Sequence, residues 1–137
     1  YYVQYAHARI CSILAYSRGH LGWWRRWRPN LQLLEAPEAR LLMRLLVQYP
    51  VILRLCAQAL EPHGITVYLQ KLAETFHVFY TKHRVISEDG ARSAARLALI
   101  RATRQVLDNG LSLLGVSAPR RMLREVTSNQ LPVTRDR

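Results

Sequence analysis

Apolar residues in this chain recur every three or four positions in several separate runs, and nowhere do they alternate with period two over a useful length. That spacing gathers apolar side chains on one face of an α-helix and would scatter them over both faces of a strand. Val3, Ala6, Ile10, Ile13 and Leu14 form the first stripe and predict a helix over 2–16, stopped by Ser17, Arg18, Gly19 and His20. Pro37, Pro50 and Pro62 each precede a run of the same period. Proline is tolerated in the first helical turn, where its missing N–H has no intrahelical partner to lose, so three helices are predicted to begin at these three prolines. The third is long, its stripe running through Ile65, Tyr68, Leu69, Leu72, Phe76, Phe79 and His83. After a break at Ser87, Asp89 and Gly90, Ala95, Ala98, Leu99, Ala102, Val106 and Leu113 make a further stripe, with Gly115 as the expected C-cap. Gly110 interrupts it at a cost of about 1 kcal/mol relative to alanine, which points to a close helix contact there.

Such stripes are stable only when buried against one another, and 137 residues suffice for one domain with a real core. The predicted fold is therefore an all-α helical bundle over residues 1–122. Residues 18–36, with Gly19, Gly22, Pro29 and Asn30 among three tryptophans, read as a loop. Residues 123–137 carry neither period nor apolar density and are expected to be a disordered tail.

Twenty Lys and Arg against nine Asp and Glu leave a formal charge of +11, which implies attraction to a polyanion: RNA, DNA or an acidic membrane surface. Lys71 and Lys82 are the only lysines. Arginine forks onto phosphate and stacks on bases where lysine is a point charge, although a genome-wide bias toward Arg codons gives the same composition. Cys11 and Cys56 are isolated thiols without a C-x-x-C pair, the usage of a reducing cytoplasm. No apolar run approaches the length of a spanning helix and the N-terminus lacks a basic region followed by an apolar stretch and cleavage site, so no membrane partner is expected; a monomer is expected as well. The start at Tyr1, without Met, suggests a fragment or processed product.

Catalysis is poorly represented. His7, His20, His63, His77 and His83 never occur at metal-binding spacing, no acid completes a site, and Glu35 and Glu38 read as ordinary charges beside Pro37. No metal and no cofactor are expected in this chain, and it is not expected to be an enzyme by itself.

Binding chemistry is better represented. Tyr5 and Arg9 stand four apart on one face of the first helix, with Gln4 adjoining. An unstacked base can lie on the phenol while the guanidinium bonds to a base edge or a phosphate, which suits single-stranded RNA. The same spacing equally fits Tyr5 in the core and Arg9 as a solvated charge. Tyr80 and Arg84 repeat the pair near the end of the long helix. The string Trp23, Trp24, Arg25, Arg26, Trp27, Arg28 offers indoles and guanidiniums for stacking and cation–π contact, resembles cationic peptides of membrane interfaces, and also fits a loop folded over the bundle.

Three blocks carry a family resemblance. Tyr2-Val3-Gln4-Tyr5-Ala6-His7-Ala8-Arg9-Ile10 resembles the start of the C-terminal anticodon-binding helical domain of arginyl-tRNA synthetases, the DALR domain. Ala59-Leu60-Glu61-Pro62-His63, leading into Tyr68-Leu69, Phe76-His77-Val78-Phe79-Tyr80 and Arg84-Val85, is similar to its long helix. Ala95-Arg96-Leu97-Ala98-Leu99, then Arg104-Gln105-Val106-Leu107, Asn109-Gly110-Leu111, Leu114-Gly115-Val116 and Ala118-Pro119 with Met122, is similar to its closing helix and turn. The resemblance covers residues 1–122 in order. It implies a domain that docks the anticodon loop of arginine tRNA, in the cytoplasm, while a catalytic domain absent here binds ATP and arginine and performs the class I ligase reaction. By matching position it implies that Tyr5, Arg9, Tyr80 and Arg84 are anticodon contacts and that Met122 packs beside an anticodon base. Gln4, Arg25 and Arg28 join them as candidate RNA contacts.

Arg120 stands where the family often has Glu, and the chain runs past Met122 where family members commonly stop. The Trp–Arg string matches no family pattern, and at position 84 the family varies between Arg and an aromatic. A free-standing adaptor of the same fold, presenting tRNA to another enzyme, is the alternative to a ligase appendage. A cationic membrane-surface binder using the Trp–Arg loop is a third.

Overall fold

The computed structural model describes residues 1–20 and 28–122. Its elements are α1 (Tyr2–His20), a short 3₁₀ turn (Leu31–Leu33), α2 (Pro37–Ala59), α3 (His63–Lys82) and α4 (Gly90–Leu113), with no strand among the described residues. The all-α bundle expected from the periodicity is what forms. Both α3 and α4 pack against every other helix, whereas α1 and α2 do not approach each other. The core is continuous from Ile10 and Leu14 of α1 through Leu42 of α2 and Leu69, Leu72, Phe76 and Phe79 of α3 to Leu97, Ile100 and Leu107 of α4.

Sequence signals explain most of the boundaries. Asp89 caps α4 by accepting a hydrogen bond from the Arg92 backbone N–H at 3.2 Å. At the other end Gly115 adopts φ +72°, and the Gly115 and Val116 N–H groups donate to the Ser112 and Leu111 carbonyls at 3.0 and 2.9 Å. This pair of bonds is the Schellman closure that glycine favours. Helix α2 closes the same way through Leu60 at φ 56°, a left-handed residue that carries a Cβ and so costs roughly 1 kcal/mol or more.

Three boundaries differ from the sequence reading. Helix α1 runs on to His20: Ser17 is buried and its hydroxyl donates to the Leu14 carbonyl at 2.8 Å, so the polar group is satisfied within the helix. His83 lies just past α3 with extended backbone, its N–H still bonded to the Phe79 carbonyl. Pro50 starts no helix: it sits inside α2, where it removes a backbone bond to Leu46. Tertiary contacts carry the helix through. Tyr49 stacks on Tyr68 of α3 with ring centroids 5.8 Å apart, and the Tyr68 hydroxyl donates to the Leu45 carbonyl beside the interrupted bond.

Unbroken at Pro50, the 23-residue α2 is long and apolar enough by composition to cross a membrane, which the sequence reading did not anticipate. Here it buries Ala39, Leu42, Leu45 and Tyr49 and packs on α3 and α4, with Arg40, Arg44 and Arg54 exposed.

The glycine at 110 lies where α4 meets α3 at close range. A Cβ there would lie 2.5 Å from Leu69 Cδ2, and Leu69 is fully buried. Overpacking of about 1–3 kcal/mol opposes a helix-propensity gain of about 1 kcal/mol, so Gly110→Ala is expected to destabilise by up to about 2 kcal/mol in denaturant unfolding. An unchanged or raised midpoint would mean that Leu69 yields.

Burial pushes the Tyr68 phenol up to about 12 from 10.0, with Tyr49 adding to the shift. The unfolded chain then loses this proton first, so stability falls as pH rises from about 10 toward 12. Tyr68→Phe should lower stability near neutral pH by about 1 kcal/mol through the lost bond to Leu45 and should flatten the alkaline decline. Equal alkaline slopes in wild type and variant would show that Tyr68 is not its source.

Candidate nucleic-acid interface

Helices α1 and α3 lie side by side, and their polar-facing edges form the walls of an open groove of about 1550 Å³. On α1, Tyr1, Tyr5, Arg9, Ser12 and Tyr16 succeed one another at three- or four-residue spacing and so line one wall. On α3, Phe76, His77 and Tyr80 form the other, and His83 to Ile86 close the end. Met122 reaches the same groove from the C-terminal side of the bundle. Tyr5, Arg9, Tyr80, Arg84 and Met122, drawn from widely separated parts of the chain, thus meet on one surface.

The aromatic groups differ in support. Phe76 is fully buried, and Tyr80 stacks against it with centroids 6.0 Å apart and planes 29° from parallel. Tyr5 and Tyr80 are both half-buried, neither sealed in the core nor turned to opposite sides. The sequence pairs Tyr5 with Arg9 and Tyr80 with Arg84, but a cation–π contact runs across the groove: the Arg9 guanidinium carbon lies over the Tyr80 ring, 5.0 Å from its centre. Tyr5 instead stacks with Tyr1 at 6.2 Å. Tyr1 and Tyr16 were missed in the sequence, although the spacing from Tyr5 and Arg9 extends to both.

The end wall is held from behind. His83 Nε2 lies 2.7 Å from Glu38 Oε1 on α2, and Lys82 Nζ is 3.5 Å from the other carboxylate oxygen. Arg96 of α4 donates from Nη1 to the Arg84 carbonyl at 2.6 Å. Arg84 is thereby fixed through its backbone while its side chain stays exposed.

Other candidates fall elsewhere. Gln4 turns from the groove, one residue and about 100° around α1 from Tyr5. Its amide donates to the Ser117 carbonyl at 2.9 Å, and it lines a smaller cavity of about 360 Å³. Arg28 is exposed but does not line the groove. Arg25 and the three tryptophans of the Trp–Arg string, like residues 123–137, lie outside the described residues. No cluster of three potential metal ligands occurs among the described residues. The surface therefore offers flat rings, guanidiniums and an apolar floor, the chemistry that receives splayed bases and phosphates.

Comparison with known proteins is consistent with this geometry. Residues 3–122 match the model of the DALR anticodon binding domain. The chain is 50% identical over 122 residues to the arginine–tRNA ligase of Delftia acidovorans, covering 89% of this chain and 21% of that protein. It is 48% identical over 124 residues to the arginine–tRNA ligase of Burkholderia thailandensis, again covering 89% and 21%. It thus spans about a fifth of the length of these curated relatives. A solved chain from Campylobacter jejuni, described as a candidate arginyl-tRNA synthetase, shares the fold with a TM-score of 0.69 at 22% identity, over 89% of this chain and 26% of that one.

The hydrogen bond from His83, then a backbone bond and Lys82, hold the Glu38 carboxyl below its ordinary value of 4.5. A depressed carboxyl contributes stability above its unfolded value and loses that contribution as pH falls through the folded one. In an NMR titration Glu38 should protonate below 4.5, and His83→Phe should move it back toward that value. A titration unmoved by the substitution would remove His83 as the cause.

Proposed function

Because the chain belongs to the DALR anticodon binding domain family, which matches it over residues 3–122, we propose that the α1–α3 groove receives the anticodon loop of arginine tRNA as part of an arginine–tRNA ligase. The observation that carries this reading is the convergence of Tyr5, Arg9, Tyr80, Arg84 and Met122 on one open groove. Unpaired anticodon bases are splayed from the loop and need flat partners, which Tyr5 and Tyr80 supply. Arg9 and Arg84 bond to base edges or to the backbone. The formal charge of +11 adds a salt-sensitive attraction for phosphate.

The contact between Arg9 and Tyr80 gives base entry a defined exchange. The Arg9 guanidinium covers the Tyr80 ring. A base stacking on Tyr80 either displaces that guanidinium or lies against it, and in both cases Arg9 remains within reach of the base or its phosphate. The ring keeps its support on Phe76 throughout, so little side-chain entropy is lost on binding.

In this reading the domain binds and the reaction occurs elsewhere. ATP and arginine are held by a catalytic domain outside this chain, consistent with its spanning about a fifth of relatives named as arginine–tRNA ligases. The same reading makes the cytoplasm its place of work. Identity near one half to those ligases favours the appendage over a free-standing adaptor.

Stacking on Tyr80 is tested in the full protein that carries this chain. Tyr80→Ala should weaken binding of an arginine-tRNA anticodon stem-loop by about 1–3 kcal/mol, with helix content retained, while Tyr80→Phe keeps most of the affinity. Unchanged affinity in a folded Tyr80→Ala protein would remove the stacking role.

A further inference from the structure

Two polar side chains of α1 face away from the groove and still bear on it. After α4, Gly115 turns the chain back, and residues 115–122 run to the groove that Met122 enters. Gln4 Nε2 donates to the Ser117 carbonyl at 2.9 Å and approaches the Ser117 hydroxyl at 3.4 Å. One turn on, His7 Nδ1 lies 3.0 Å from the Pro119 carbonyl, and Cys11 Sγ is 3.8 Å from the same nitrogen. A carbonyl can only accept, so Nδ1 carries the proton and His7 is the donor. His7 is 4% exposed, and Ala118, between the two anchored carbonyls, packs against the core.

We propose that Gln4 and His7 are positioning residues: they strap residues 115–122 to α1 through two main-chain carbonyls and thereby set Met122 in the groove. The proposal rests on the anticodon-binding reading and goes beyond it, since neither side chain lines the groove beside Met122. The geometry explains why the anchors are where they are. Residues 115–122 have no helix or strand to hold them, so their carbonyls need partners from elsewhere. The second anchor falls three residues before Met122. A segment tied that near its end loses little further freedom when Met122 packs against a base, which raises affinity without a new contact to RNA. The strap also places Gln4 in a role different from direct contact.

The test is a double-mutant cycle in the full protein carrying this chain, read by affinity for the arginine-tRNA anticodon stem-loop. His7→Leu fills the buried site but cannot donate. His7→Asn places an amide N–H near the position of Nδ1. We expect Met122→Ala and His7→Leu each to weaken binding roughly 3- to 10-fold, the scale of one lost hydrogen bond, His7→Asn to restore most of it, and His7→Leu to add nothing once Met122 is Ala. If His7→Leu weakens binding equally in both backgrounds, or if Asn and Leu behave alike, the strap does not act through Met122 and the proposal falls. If wild type does not bind the stem-loop, or if Tyr80→Ala in a folded protein binds as well as wild type, the anticodon reading falls instead, and the two failures are distinct.

Discussion

The burial of one face of α3 governs the rest of the molecule. Leu69, Leu72, Phe76 and Phe79 are sealed against the other helices, and α3 touches all of them. With Phe76 and Phe79 committed to the core, a helix turning about 100° per residue leaves Tyr80 at the edge of the buried face, half in contact with Phe76 and half open to the groove. Tyr80 therefore needs no loop to aim it. Its orientation follows from core packing.

Much of this was legible in the sequence because the signal was periodic. The stripes of α3 and α4 identify the core face directly, and Gly110 announces the close approach that Leu69 occupies. Tyr5 and Tyr80 could be singled out because aromatic and Arg residues four apart share a helical face. What failed to show depends on contacts between distant residues. Pro50 looks like a beginning because local rules place proline there; Tyr68, eighteen residues later, carries α2 past it. Arg9 pairs with Tyr80 across the groove because two helices are adjacent, a fact absent from the spacing within either. Gln4 adjoins Tyr5 in sequence yet belongs to another face, and its partner is 113 residues away.

If the groove receives anticodon bases as proposed, its construction bears on how a basic surface could be kept selective. Net positive charge alone attracts any polyanion and supplies no sequence preference. Preference requires that flat rings and guanidiniums be held where a base edge would be. Glu38 fixes His83 and Arg96 fixes the backbone of Arg84 from outside the groove, while Phe76 supports Tyr80 from within its buried floor.

That division has a consequence for how such a surface can vary. Arg9 and Arg84 are exposed and can be exchanged for other planar or cationic groups with small cost to folding. Their supports cannot be exchanged so freely: the Arg96 bond ends on a main-chain carbonyl whose position a different side chain would not match, and Phe76 is fully buried in the core, where a change of shape is costly. In the anticodon-binding reading, the groove residues proposed to meet RNA are thus the more replaceable part of the surface, and the residues that aim them are the less replaceable part. In that reading a substitution at Arg96 or Phe76 would act on binding by moving Arg84 or Tyr80, although neither Arg96 nor Phe76 is the group that a base would stack upon.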